Sequence, residues 1–282
     1  MEYLFVFLYI LTMNDLFENK FIELKSFIEK LESCAIAFSG GVDSTLLLFS
    51  ALEALPKEKI KVITIQTPAV TNEEIKDAIN ITKAFDIKPE IISMDNVKII
   101  NSNGNDSLRC YFCKKALFSK IKQHANESGI QHVLEGTNKS DLSGHRPGIK
   151  ALEELEIISP FLEVNLYKEE IRKLSKILNL PVWNKPASAC LVSRFPYNVT
   201  ITNQEIQKVA QGEDYLKHIG FAVCRVRNFG EKCIIEVAKE KVNDLIELKH
   251  MVEQKFKNIG FKTIEINQNG YLTGNMDNVN YH

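Results

Sequence analysis

Nowhere does the sequence stay apolar for the roughly 20 residues that a membrane-spanning helix needs. The apolar stretch from Leu4 to Leu11 is far shorter and has no basic region before it, so it is not a membrane span. Positive charge is not in surplus: 35 lysines and arginines stand against 36 aspartates and glutamates. The broad cationic surface that neutralises nucleic-acid phosphates is therefore not expected, and a small anionic substrate fits better. Cysteine is scarce, six in 282 residues, and its spacing is not that of a disulfide-dense secreted scaffold. One Cys-x-x-Cys instead points to metal or redox chemistry in a reducing compartment, and the protein is read as cytoplasmic. Internal repeats and low-complexity tracts are absent too. His132, His145, His218 and His250 show no ligand spacing.

What the sequence does have is alternation. Apolar residues recur at helical spacing from Asp15 to Glu32, and short apolar runs follow at 34–38, 62–66, 90–94 and 132–135. Helical patterns at 73–84 and 114–127 separate them. Strands alternating with helices predict an α/β fold with a doubly wound, mostly parallel sheet. A further helix over 168–178 ends before Pro181, and 181–196 reads as an irregular loop. Beyond Thr202 come a helix (203–218), two strands around Gly230, a helix (241–255) and a strand (262–266). We therefore expect an extension over 1–14, a main domain over 15–200 and a smaller α+β domain over 201–282.

Chemistry concentrates after the first strand, in Ser39-Gly40-Gly41-Val42-Asp43-Ser44. Two glycines let the backbone turn tightly and aim amides at an anion at a helix N-terminus. Ser39 and Ser44 add hydroxyl donors, and Asp43 can reach a magnesium ion or position the loop. The string lacks the Lys-Ser/Thr ending of a P-loop and resembles the PP-loop of enzymes that cleave ATP between the α and β phosphates. Adenylation is the reaction this implies; it gives a carboxylate a leaving group that sulfur or nitrogen can displace.

Further motifs follow in order: Arg109-Cys110-Tyr111-Phe112-Cys113-Lys114, Glu135-Gly136-Thr137-Asn138, Arg146-Pro147-Gly148, and the stretch from Trp183 through Cys190 to Arg194. Together they resemble the LarE family, from about Asp15 to the C-terminus. The resemblance implies a PP-loop, Rossmann-like ATP-dependent sulfur transferase. Its substrate is the nicotinate-derived pyridinium-3,5-biscarboxylic acid mononucleotide, and its product is the bis-thiocarboxylate that later holds nickel in the lactate racemase cofactor. On this chain it assigns Ser39, Gly40, Gly41, Asp43 and Ser44 to ATP phosphates, Gly136, Thr137 and Arg146 to the nucleotide pocket, and Cys190 to sulfur chemistry. Lys185 and Arg194 flank that cysteine and would favour its thiolate.

In sacrificial members of the family the cysteine forms a thioester, then loses its sulfur and becomes dehydroalanine. A subset instead pairs a Cys-x-x-Cys with the later cysteine around a [4Fe–4S] cluster, which implies Cys110, Cys113 and Cys190 as ligands here. Other readings of Cys110 and Cys113 are a zinc ligand pair, a redox dithiol or no function. Arg225 and Arg227 alternate on a strand, so they share a face and can fork onto a phosphate. Glu236, on the partner strand, would orient them, and Arg194 joins the substrate set. Near the end the chain reads Gly270-Tyr271-Leu272-Thr273-Gly274, with Leu272 where the family would place a basic residue. A homo-oligomer, a sulfur donor and nickel-insertion proteins are the implied partners. The competing readings are a PP-loop tRNA thiolase, another adenylating ligase, and an ATP-binding sensor without catalysis.

Overall fold

The structure is a computed structural model that describes residues 15–142, 147–186 and 189–272. The proposed extension over 1–14 lies outside them. The chain divides into two compact units, each described by itself: one holds 15–67, 72–94 and 110–186, the other 68–71, 95–109 and 189–272.

The first unit is built in chain order from α1 (Asp15–Glu29), β1 (Cys34–Ala37), α2 (Val42–Ala54), β2 (Ile60–Gln66), α3 (Asn72–Ala84), β3 (Glu90–Ser93), α4 (Arg109–Glu127), β4 (Val133–Leu134), α5 (Pro147–Glu154) and α6 (Lys168–Ile177). The strands lie in the order β3-β2-β1-β4, all parallel. Alternate residues of β1 feed opposite cores, as a strand's period of two requires. Cys34 and Ile36 join Phe21 and Leu24 of α1, Leu46 and Leu47 of α2 and Ile171 and Leu174 of α6. Ala35 joins Phe118 and Ile121 of α4 and Leu152 of α5. Helices thus cover both faces, which is why the strands read as continuous apolar runs. Each fully buried leucine or isoleucine contributes about 1.5–3 kcal/mol. The chain leaves β1 toward β2 on one side and returns to β4 on the other, so the carboxyl ends of β1 and β4 form the point where strand order reverses, the usual ligand crevice of such sheets.

Two boundaries differ from the sequence reading. Helix α4 starts at Arg109, not near Lys114, because Asp106 closes the preceding turn: its side chain accepts from the Leu108 amide at 2.7 Å and its carbonyl from the Arg109 amide at 3.0 Å. This puts both cysteines of the Cys-x-x-Cys on a helix. The single helix expected over 241–255 is two, Val242–Glu247 and Lys249–Ile259, with Leu248 breaking the ladder at φ −89°, ψ 5°.

In the second unit α7 (Asn203–His218) packs on a sheet of β5 (Cys224–Phe229), β6 (Lys232–Val237) and β7 (Thr263–Ile266), with α8 (Lys249–Ile259) between the last two strands in sequence. β5 and β6 are antiparallel and β6 and β7 parallel. Thr202 starts α7 with a reciprocal cap: its hydroxyl accepts from the Glu205 amide at 3.2 Å, and Glu205 accepts from the Thr202 amide at 2.9 Å. Among the described residues no helix is long and apolar enough to cross a membrane.

One surface cluster gives a pH-dependent prediction. Glu90 accepts from Lys61 Nζ and pairs with His124 Nδ1, both at 2.6 Å. The Lys61 hydrogen bond, against an opposing effect of burial and aided by His124, holds the Glu90 carboxyl below its usual range. A depressed carboxylate adds stability above its unfolded pKa and loses it as pH falls through the folded one. Glu90→Gln should therefore lower the melting temperature at pH 7, by no more than about 1 kcal/mol in stability terms because the pair is on the surface. Thermal melts of the two proteins should converge as the pH falls through the lowered folded pKa of Glu90.

Candidate functional site

The loop after β1 is a small network closed on itself. Ser39 and Ser44 hydroxyls lie 3.2 Å apart, Ser44 Oγ donates to the Gly41 carbonyl at 3.2 Å, and the Ser39 amide donates to Ser44 Oγ at 3.3 Å. Helix α2 begins behind Gly41, an N-cap with no side chain to offer, so its first-turn amides are left for an anion. Gly40 sits at φ +70°, and a Cβ there would come 3.0 Å from the Ala78 backbone on α3. Conformation and space both demand glycine.

Asp43 is held from two sides. Asn138 Nδ2 donates to its Oδ1 at 3.3 Å, and Lys168 at the start of α6 donates to its Oδ2. Asn138 also donates to Asp141 at 2.8 Å. The next element up, at the end of β4, is organised by Glu135, whose buried carboxylate accepts from the Thr137 amide at 2.9 Å, from Thr137 Oγ1 at 2.8 Å and from Ser159 Oγ. Gly136 between them touches the loop: a Cβ would lie 2.9 Å from Asp43 Cβ and 3.3 Å from the Ser44 amide nitrogen. The unit thus brings Ser39, Gly40, Gly41, Asp43, Ser44, Gly136 and Thr137 together at the strand-order reversal. Arg146 lies outside the described residues. Sequence reasoning missed Lys168, and it quoted Glu135 and Asn138 within a motif without giving them a role. Within the first unit the Lys185 ammonium pairs with Asp77 at 2.8 Å and reaches the Gly40 carbonyl at 3.5 Å. Arg172 fixes that strap by donating to the carbonyls of Trp183 and Lys185, each at 2.8 Å.

The second unit gathers the other set. Cys190 is exposed and caps the short turn Leu191–Arg194. Arg194 is buried, with Nε and Nη2 on the two oxygens of Glu213 at 2.7 and 2.8 Å. Burial works to lower the Arg194 pKa, but the Glu213 hydrogen bond and charge, with a smaller part from Cys190, more than offset it and keep the pKa raised. Arg227 is also buried and donates from Nε to Glu236 at 2.9 Å and from Nη1 to the Ser193 carbonyl at 3.1 Å. Glu236 in turn accepts from Asn267 at 3.1 Å. Arg225 has no carboxylate within ion-pair distance among the described residues; its guanidinium lies over the Tyr271 ring, 4.8 Å from the centroid. Tyr271, unlike Leu272, was not singled out in the sequence.

The cysteines separate by environment. Burial pushes the Cys34, Cys224 and Cys233 thiols up to about 12, so these are inert core residues. Cys110 is exposed and Cys113 half-buried, three residues apart in the first turn of α4 and so on one helix face. As a pair they suit thiolate ligation; the third expected ligand, Cys190, belongs to the other unit. Among the described residues no three Cys, His, Asp or Glu side chains are gathered into a metal site.

Comparison with known proteins adds relatives of stated identity. A family model described as NAD synthase matches residues 18–134, the block that carries β1 to β4 and the glycine loop. The pyridinium-3,5-bisthiocarboxylic acid mononucleotide synthase of Lactiplantibacillus plantarum is 30% identical over 250 residues, 89% of this chain and 91% of that protein. Uncharacterised proteins of Synechocystis and Methanocaldococcus jannaschii are 35% and 33% identical, over 93% and 89% of this chain and 98% and 96% of their own lengths.

Proposed function

The chain belongs to the LarE family of PP-loop ATP-dependent sulfur transferases, and on that premise we propose that it adenylates the carboxylates of pyridinium-3,5-biscarboxylic acid mononucleotide and converts them to thiocarboxylates for the nickel-pincer cofactor of lactate racemase. The observation that carries this is the length of the match to the Lactiplantibacillus synthase: 250 residues of a 282-residue chain must include both the glycine loop and Cys190. A relationship confined to nucleotide binding would stop short of the cysteine.

The chemistry follows from the two sets of residues. A substrate carboxylate oxygen attacks the α phosphorus of ATP and pyrophosphate leaves, with the α2 amides, Ser39 and Ser44 holding phosphate oxygens and Gly136, Thr137 and Arg146 bounding the nucleotide. Asp43, held by Asn138 and Lys168, is the carboxylate that would ligate magnesium. The Cys190 thiolate then attacks the acyl carbon, AMP departs and a thioester forms. Loss of the cysteine α-proton with cleavage of its Cβ–Sγ bond leaves sulfur on the substrate and dehydroalanine in the chain. The iron–sulfur alternative would hold a [4Fe–4S] cluster on Cys110, Cys113 and Cys190; bound iron in anaerobically purified protein decides between the two.

Arg225, stacked on Tyr271 beside Arg227 and Glu236, is our choice for the substrate phosphate, since among the described residues it is the arginine of this group without a carboxylate partner. Arg225→Ala should weaken binding of the mononucleotide about 10–100-fold, the worth of one charged hydrogen bond. Calorimetric titration with the mononucleotide showing an unchanged Kd would remove Arg225 from the phosphate site. The function itself is tested by incubating the protein with ATP, magnesium and the biscarboxylated mononucleotide. Pyrophosphate, AMP and a thiolated product support it; an amide product formed with ammonia would move the chain toward NAD synthase chemistry, and ATP binding without turnover toward a sensor.

A further inference from the structure

We propose that the buried Arg194–Glu213 pair is a positioning device that holds Cys190 for attack, and not a contact to substrate; the proposal rests on the assignment of sulfur chemistry to Cys190. Every nitrogen of the Arg194 guanidinium is engaged inside the protein. Two of them fork onto Glu213, and the third, Nη1, donates to the carbonyls of Ala189 at 2.9 Å and Cys190 at 3.2 Å and to Ser193 Oγ at 2.8 Å. A guanidinium so used cannot turn to a substrate anion without releasing the loop, and Glu213 already cancels its charge.

The anchor beneath the pair is rigid. Glu213 projects from the middle of α7, and its Oε1 also accepts from the Val226 amide of β5 at 3.1 Å. The cysteine loop is therefore bolted through Arg194 to a helix and a strand at once. Arg227 adds a second fastening, from β5 to the Ser193 carbonyl at 3.1 Å, and the Leu191 amide a third, to the Ala69 carbonyl at 3.3 Å. The exposures complete the picture: Arg194 is 2% and Glu213 3% exposed, while Cys190 at the end of the same turn is exposed. Burying two charges only to make a turn is a costly choice, since apolar residues of similar volume are often as stable or more so. Fixing a backbone segment whose side chain must meet an acyl carbon gives that choice a purpose, because misplacement by about 1 Å can cost two orders of magnitude in rate.

Stability and positioning separate in one double variant. Arg194→Met with Glu213→Gln removes both charges together, leaving no unpaired ion, and glutamine keeps an acceptor for the Val226 amide. If the pair holds Cys190, this protein melts near the parent temperature, forms pyrophosphate at the parent rate with an unchanged KM for ATP, and makes thiolated product about a hundredfold more slowly. Amide hydrogen exchange at 191–195 quickens, while α7 and β5 stay protected. Parent-rate product formation by the folded double variant overturns the proposal, as does an unchanged exchange rate at 191–195. The exchange measurement needs neither ATP nor the mononucleotide, so it reads the clamp even if the assigned reaction fails. Product formation by Cys190→Ala would sink the reaction reading while leaving the exchange result standing.

Discussion

Cys190→Ala is expected to abolish thiocarboxylate formation while the protein still releases pyrophosphate from ATP in the presence of the mononucleotide. The two steps use different residues. In the proposed reaction adenylation depends on the loop at 39–44 with Asp43, Lys168, Gly136 and Thr137, all in the first unit, whereas Cys190 is carried by the second. No other thiol of the second unit can take over, since Cys224 and Cys233 are buried with pKa values raised to about 12 and supply almost no thiolate at neutral pH. Cys190 is exposed, so the substitution removes a surface thiol and should leave the melting temperature nearly unchanged. Mass spectrometry of the small-molecule products reads the outcome; thiolated product at the parent level would pass the role to Cys110 or Cys113.

Gly136→Ala should weaken ATP binding about a hundredfold, equivalent to about 2.7 kcal/mol. Here the obstacle is backbone. The added methyl would meet Asp43 Cβ at 2.9 Å and the Ser44 amide nitrogen at 3.3 Å, in the turn proposed to offer its amides to the phosphates. Nothing there is the free end of a flexible side chain, so the loop itself must move, and with it the Asp43 carboxylate that Asn138 and Lys168 hold. Gly129→Ala is the control: its φ of +73° makes alanine strained, but a Cβ meets nothing within 4 Å and the residue is remote in sequence from the loop. Calorimetric titration with a non-hydrolysable ATP analogue should show a weakened Gly136→Ala and an unaffected Gly129→Ala. Equal affinities would mean that the close approach of β4 to the loop is irrelevant to nucleotide binding.

What could be read in the sequence was what local pattern encodes. Residues 34–54 announce a buried strand, a glycine turn and a helix within one short stretch, and the parallel sheet follows from repeating that alternation. The Arg225 and Arg227 alternation was visible for the same reason. Lys168 was not, because its partner Asp43 is 125 residues away and a lysine at the first position of an amphipathic helix looks like solvated surface. Glu213 hid likewise among the polar residues of α7, and only the fold shows that it faces Arg194 and β5. Glu135 was quoted as part of a motif, yet its work of tying Thr137 and Ser159 depends on contacts up to 24 residues apart. The early start of α4 was legible in principle, from Asp106 three residues before the first helical position, whose amide its carbonyl accepts. The break at Leu248 has no such signal.

Intact-protein mass, followed together with thiolated product and bound iron through one anaerobic reaction of the untagged chain with ATP, magnesium and the mononucleotide, tests the central claim most directly. The account predicts product in step with a protein lighter by one hydrogen sulfide, the loss mapping to Cys190. Sustained product from iron-loaded protein of unchanged mass would contradict sacrifice of that cysteine, and an absence of product with either form would contradict the assignment of this substrate.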